Sequence, residues 1–128
     1  MTSLSPSSQD YLEAILELSN KENEIRSIDI AQLMGVSRAS VNKAVGILKD
    51  FGYITQQKYS YIELTDYGRK AASSIRERHD TLKTFLIEVL DVSEKTAEED
   101  ACKMEHAISS ETFGKLKKYV KNTATAKK

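Results

Sequence analysis

The stretch from residue 28 to residue 65 constrains the fold more than any other part of this 128-residue chain. Residues 28–34, IDIAQLM, read as a short helix with Ile28, Ile30, Ala31, Leu33 and Met34 as apolar positions. Gly35 follows as its C-cap, because a residue without Cβ enters the left-handed region with least strain. Val36 is expected to be a buried turn residue and Ser37 to cap a second helix over residues 38–50. In that helix Val41, Ala44, Val45 and Leu48 face inward, while Arg38, Ser40, Asn42 and Lys43 face out. Gly52 breaks the chain. Two β-prone runs, residues 53–57 and 61–65, are joined by Lys58, Tyr59 and Ser60 and predict a hairpin. Its turn lacks the Gly or Asn that would fix its type. Helix, tight turn, helix and hairpin together spell a winged helix-turn-helix.

The second of these helices has the chemistry of a reading head. Its exposed N-terminal half must be slim and polar to enter a DNA major groove, and Ser37, Arg38, Ser40, Asn42 and Lys43 meet that requirement. Arginine reads guanine and asparagine reads adenine through paired hydrogen bonds, and serine and lysine suit phosphates. Lys58 and Tyr59, at the hairpin tip, are placed to touch the neighbouring backbone or minor groove. The expected partner is double-stranded DNA. The competing reading is a winged helix that serves protein contacts only.

Charge speaks to that choice. With 19 Lys+Arg and 19 Asp+Glu the formal net charge is zero, which at first disfavours DNA. The zero is a cancellation. Residues 26–58 carry net +3 and residues 115–128 net +6, against net −4 over residues 1–25 and −6 over residues 88–114. The region of the reading head is locally basic, which favours DNA.

The rest of the chain reads as helix. Residues 5–19 form one, capped by Ser5 and started by Pro6. Thr65 caps a long helix from Asp66 to about Leu90, with Ala72, Ile75, Leu82, Leu86 and Val89 on one stripe. Ser93 caps another to about Ile108, and a last helix runs from about Glu111 to Val120. No apolar run approaches the roughly 20 residues of a membrane span. The N-terminus shows no basic region followed by an apolar stretch, so no secretory signal is expected. A single Cys cannot form an intrachain disulfide, which fits a reducing cytoplasm. There is no Gly-rich phosphate loop and no nucleophile elbow, so an enzyme is not expected.

A second constellation lies in the acidic segments. Cys102, Glu105 and His106 share one face of a helix at about 100° per residue. Thiolate, carboxylate and imidazole on one face can hold a transition-metal ion, but they do not complete its shell. Asp10 and Glu13 share a face of the first helix, and His79 lies beside the Ile75, Leu82, Leu86 stripe. Taken singly, each has an ordinary explanation. His79 suits a core histidine, Asp10 and Glu13 suit carboxylates favoured by a helix N-terminus, and Cys102 suits a small packing residue.

The two constellations together resemble the diphtheria-toxin-repressor family of metal-dependent transcriptional regulators, which includes a manganese-transport-regulator branch. The resemblance runs from residue 4 to about residue 120. It is carried by SPSSQDYLEAILEL, DIAQLMGVSRASVNKAVGILKDFGYI, LTDYGRKAA, IRERHDTLKTFLIEVL and EEDACKMEHAIS. Its most specific parts are Asp10-Tyr11-Leu12-Glu13, Arg76-Glu77-Arg78-His79 and the C-x-x-E-H-x-I-S run at 102–109. The family implies a mainly α fold, with an N-terminal winged helix and two-stranded wing followed by a helical dimerisation domain. The domains expected here are residues 1–65, residues 66–122 for metal binding and dimerisation, and a disordered tail at 123–128.

The resemblance implies metal ligands at Asp10, Glu13, His79, Cys102, Glu105 and His106. Cys102 stands where the manganese branch has a carboxylate and the iron branch a Cys, and Asp10 stands where the iron branch has a Met. The ligand set is a hybrid. Carboxylates suit Mn(II) and Fe(II), whereas a thiolate favours softer or later ions. The expected cofactor is Mn(II) or Fe(II), with room for two ions per subunit. The iron branch has an ancillary site near positions 83 and 98, where this chain carries Lys83 and Glu98, so the resemblance does not carry that site over. The expected function is a cytoplasmic, homodimeric repressor of metal-uptake genes. The alternative is a winged-helix regulator that senses an organic ligand or a protein partner, with structural His and Cys.

Overall fold

A computed structural model describes residues 4–21, 24–57 and 61–126. In chain order the elements are α1 (Pro6–Lys21), α2 (Ser27–Met34), α3 (Arg38–Asp50), β1 (Ile54–Thr55), β2 (Glu63–Leu64), α4 (Asp66–Thr84), α5 (Glu94–Ala107) and α6 (Ser110–Ala126). A π-helical turn, Phe85–Val89, prolongs α4. The chain divides into two compact units, residues 2–74 and residues 75–128.

In the N-terminal unit three helices close on one apolar core. Leu12 and Ile15 of α1, Ile30 of α2, and Val41 and Leu48 of α3 are all fully buried. Each helix has its own start signal. Ser5 Oγ accepts from the Ser8 backbone N–H at 3.1 Å, and Ser37 Oγ accepts from the Ser40 N–H at 3.1 Å. The Asp29 carboxylate accepts from the Arg26 N–H at 2.9 Å, satisfying a donor at the start of α2. Gly35 has φ 68° as expected for the C-cap. Val36, expected to be buried, is exposed. Backbone bonds close this turn, because Gly35 N–H and Val36 N–H both donate to Ala31 O. The turn therefore needs no apolar anchor.

The wing is shorter than its β-prone runs. β1 and β2 pair antiparallel over two residues each, Ile54 with Leu64 and Thr55 with Glu63. An isolated bridge between Ile25 and Ile62 ties the wing to the segment before α2.

The start of α4 belongs to the N-terminal unit. Thr65 Oγ1 accepts from the Gly68 N–H at 2.9 Å and donates to Gly52 O at 2.8 Å. Tyr67 stacks on Tyr53 with ring centroids 4.7 Å apart. A Cβ at Gly68 would strike the Tyr53 carbonyl, so only glycine fits there. These contacts move the division between units into α4, between residues 74 and 75, whereas the sequence reading puts it at 65/66.

In the C-terminal unit, Ile75, Leu82, Leu86, Ala97 and Ala101 supply the apolar burial. The Ser93 hydroxyl caps α5 by accepting from the Thr96 N–H at 3.4 Å. Phe85 meets Tyr119 of α6 edge to face at 6.5 Å. The tail differs from expectation. α6 continues to Ala126, so residues 123–126 are helical rather than disordered, and Lys127 and Lys128 lie outside the described residues. No proline or glycine interrupts residues 115–126, so nothing local stops the helix at Val120.

Candidate metal centre

Two helices of the C-terminal unit converge on His79. This residue of α4 is 5% exposed, on the face that also buries Ile75, Leu82 and Leu86. Its Nδ1 lies 3.7 Å from Cys102 Sγ and 3.4 Å from Glu105 Oε2. His106 Nε2 lies 3.4 Å from the other Glu105 oxygen. Cys102 is exposed at the rim, Glu105 is buried, and His106 is half-buried. Thus four of the six ligand positions expected from sequence, His79, Cys102, Glu105 and His106, form one cluster. The other two, Asp10 and Glu13, lie on α1 in the N-terminal unit, with Asp10 exposed and Glu13 half-buried.

The donor set fits a divalent transition ion. Burying an ionised carboxylate such as Glu105 costs several kcal/mol unless opposite charge and hydrogen bonds offset it. His79 stands 3.7 Å from Cys102 and 3.4 Å from Glu105, and His106 stands 3.4 Å from Glu105, spacings that suit neighbouring ligands of a divalent cation.

Glu98 is the member of this cluster that sequence reasoning missed. Its Oε2 lies 2.5 Å from His79 Nε2 and 3.6 Å from Cys102 Sγ. One donor atom each from His79, Glu98 and Cys102 fall within 4.8 Å of one another. The available signal was spacing, since Glu98 stands four residues before Cys102 on the same face of α5. Lys83, at 3.2 Å, holds the other Glu98 oxygen. Burial acts to raise the Glu98 carboxyl, but the Lys83 hydrogen bond and the nearby His79 outweigh it and hold it below the usual carboxylate range.

Arg78 builds the corner that carries Glu105 and His106. Its guanidinium donates to Ile108 O at 2.7 Å and Glu105 O at 3.4 Å, the orphan carbonyls at the end of α5. It also donates to Ser110 Oγ at 3.3 Å and lies over the Phe113 ring at 5.1 Å. One side chain of α4 thereby fixes the end of α5 and the start of α6.

In the N-terminal unit the expected reading residues Ser37, Arg38, Ser40, Asn42 and Lys43 are all exposed along the first turns of α3. Lys58 and Tyr59 lie outside the described residues.

Known proteins show a two-part organisation that changes over between residues 62 and 65, close to the 65/66 division expected from sequence. The sequence profile of the iron dependent repressor N-terminal DNA binding domain matches residues 3–62. That of the iron dependent repressor metal binding and dimerisation domain matches residues 65–127. An HTH-type transcriptional regulator of Methanocaldococcus jannaschii is 38% identical over 115 residues, covering 89% of this chain and 92% of the relative. The chain belongs to the iron-dependent repressor family. The transcriptional regulator MntR of Salmonella typhimurium is 39% identical over 104 residues, covering 81% of this chain and 66% of MntR. The structure of the manganese regulator SloR superimposes with a TM-score of 0.81 at 30% identity, over 92% of this chain and 55% of SloR. The chain thus spans about two thirds of MntR and about half of SloR. The family is one of metal-dependent, DNA-binding transcriptional regulators, and the winged helix with a following helical unit is its fold. No helix among the described residues is long and apolar enough to cross a membrane.

Proposed function

We propose that this chain is a homodimeric repressor of metal-uptake genes in the cytoplasm, brought onto DNA by Mn(II) or Fe(II). The observation that carries this is the convergence of His79, Cys102, Glu105 and His106 in the C-terminal unit. The N-terminal unit exposes Ser37, Arg38, Ser40, Asn42 and Lys43. The proposed ligand set is Asp10, Glu13, His79, Cys102, Glu105 and His106, for one or two ions. A bound divalent ion supplies positive charge that neutralises this carboxylate-rich set.

The chain's own residues do the rest. His79 and His106 supply neutral nitrogen ligands, Glu105 supplies buried charge, and Cys102 supplies a soft donor at the rim. Asp10 and Glu13 would contribute carboxylates from α1, the helix on which α3 packs. Arg38 and Asn42 then read bases, while Ser37, Ser40 and Lys43 contact phosphates. In a dimer two such heads meet half-sites about one DNA turn apart. A bound ion would narrow the ensemble toward that spacing.

The test is DNA binding by fluorescence anisotropy, using promoter DNA of the host's metal-uptake genes at one fixed salt concentration. The arms are Mn(II), anaerobic Fe(II), Zn(II) and chelator. Salt is fixed because phosphate contacts make affinity steeply salt-dependent. Mn(II) or Fe(II) is expected to raise affinity by about 5- to 150-fold over chelator, the usual range of allosteric coupling. Equal affinity with metal and with chelator would remove the proposal.

A further inference from the structure

We propose that Glu98 is the positioning carboxylate of the metal centre: it holds the His79 proton on Nε2, so that Nδ1 faces the donors of α5. This rests on the reading of the cluster as a metal site. Glu98 lies outside the six ligands expected from sequence, and it gives His79 a defined polarity.

The two ring nitrogens of His79 face different neighbours. Nε2 lies 2.5 Å from Glu98 Oε2. Nδ1 lies 3.4 Å from Glu105 Oε2 and 3.7 Å from Cys102 Sγ. A neutral imidazole carries one proton, and only the other nitrogen keeps a lone pair for a metal. The short approach of Glu98 places that proton on Nε2 and leaves Nδ1 as the ligand atom.

The distances separate the two roles. Ligands on one tetrahedral ion, with bonds of about 2.0–2.3 Å, stand roughly 3.3–3.8 Å apart. The Nδ1 side matches that spacing. The Nε2 side, at 2.5 Å, is a hydrogen bond with no room for an ion between its atoms. The Cys102 thiol also reaches Glu98 Oε2, at 3.6 Å. As a thiolate ligand it has no proton to donate and leaves that oxygen to His79. Lys83 occupies the opposite oxygen at 3.2 Å, so the carboxylate is held from both ends. A carboxylate placed behind a metal-binding histidine fixes the ring and makes it a better donor. Removing such a partner usually costs about 10–100-fold in metal affinity.

Cobalt(II) titration of the full chain, followed by absorption, tests this. Thiolate ligation gives a near-ultraviolet charge-transfer band, and the visible bands report the ligand set. Competition with a chelator gives the affinity. The wild-type chain is expected to show both sets of bands. Glu98→Ala is expected to bind Co(II) about tenfold or more weakly, with unchanged band positions. Glu98→Gln, whose amide oxygen still accepts from Nε2–H, is expected to fall between the two. The Glu98 side chain is 46% exposed, so the variants are expected to fold, and circular dichroism checks their helix content. Shifted visible bands in Glu98→Ala would make Glu98 a ligand itself and overturn the positioning role. Unchanged affinity would overturn it too. A wild-type chain that binds no Co(II) would remove the metal-centre reading, and this inference with it.

Discussion

The two units of the chain spend their interiors differently. The N-terminal unit buries large aliphatic side chains from every helix, including Leu12, Ile15, Ile30, Val41 and Leu48, and keeps the polar reading residues of α3 outside. The C-terminal unit buries Ile75, Leu82 and Leu86 with two alanines of α5, and buries His79 and Glu105 among them. The first interior gains its stability mainly from apolar burial. The second gives interior space to groups whose charge must be offset. A unit built the first way is a rigid carrier, and one built the second way responds to what offsets its charges.

Leu48→Ala should show the largest effect and is confined to the carrier. Leu48 is fully buried in α3, so truncation is expected to cost about 2–5 kcal/mol. Denaturant unfolding checks it. The loss should be the same with and without Mn(II), because Leu48 is an aliphatic core residue and not one of the proposed ligands. A loss that metal restores would break the contrast between the units.

Arg78→Ala probes the responsive unit. It removes charged hydrogen bonds to Ile108 O, Glu105 O and Ser110 Oγ, and an expected cost of about 2–3 kcal/mol follows. Unlike Leu48→Ala, it should also weaken metal binding, because Arg78 fixes the turn of α5 that carries Glu105 and His106. Calorimetry with Mn(II) separates the two effects. Unchanged metal affinity would make Arg78 a structural brace only.

What could be read from the sequence follows the same contrast. Helices α1 to α3, the Gly35 cap and the Ser37 cap were legible, because period, capping residue and glycine are local signals. His79, Cys102, Glu105 and His106 were legible through spacing and resemblance. Spacing places Glu98 on the face of Cys102, but its contact with His79, like the role of Arg78, appears only when α4 and α5 are brought together. Gly68 likewise looks like an unremarkable helical glycine until Tyr53 is seen behind it. Val36 is exposed instead of buried, because two backbone bonds to Ala31 O already close that turn.

The smallest expected effect sharpens the account of the reading head itself. Ser37 caps α3 and is proposed to touch phosphate. Its hydroxyl oxygen accepts from Ser40 N–H at 3.1 Å, and its proton goes to Ser40 Oγ at 3.0 Å. Both capacities are therefore engaged within the protein. Ser37→Ala should cost about 1 kcal/mol of stability through the lost cap. Ser37→Asp should keep the cap, since aspartate serves equally well there and its charge suits a helix N-terminus. If Ser37 also sits against DNA, that same charge meets a phosphate and lowers affinity by roughly tenfold, about 1.4 kcal/mol. The pair of variants thus divides one residue's two tasks, with thermal unfolding reading the cap and anisotropy reading the contact. Wild-type DNA affinity in Ser37→Asp would leave Ser37 as a cap alone and shift phosphate contact to Ser40 and Lys43.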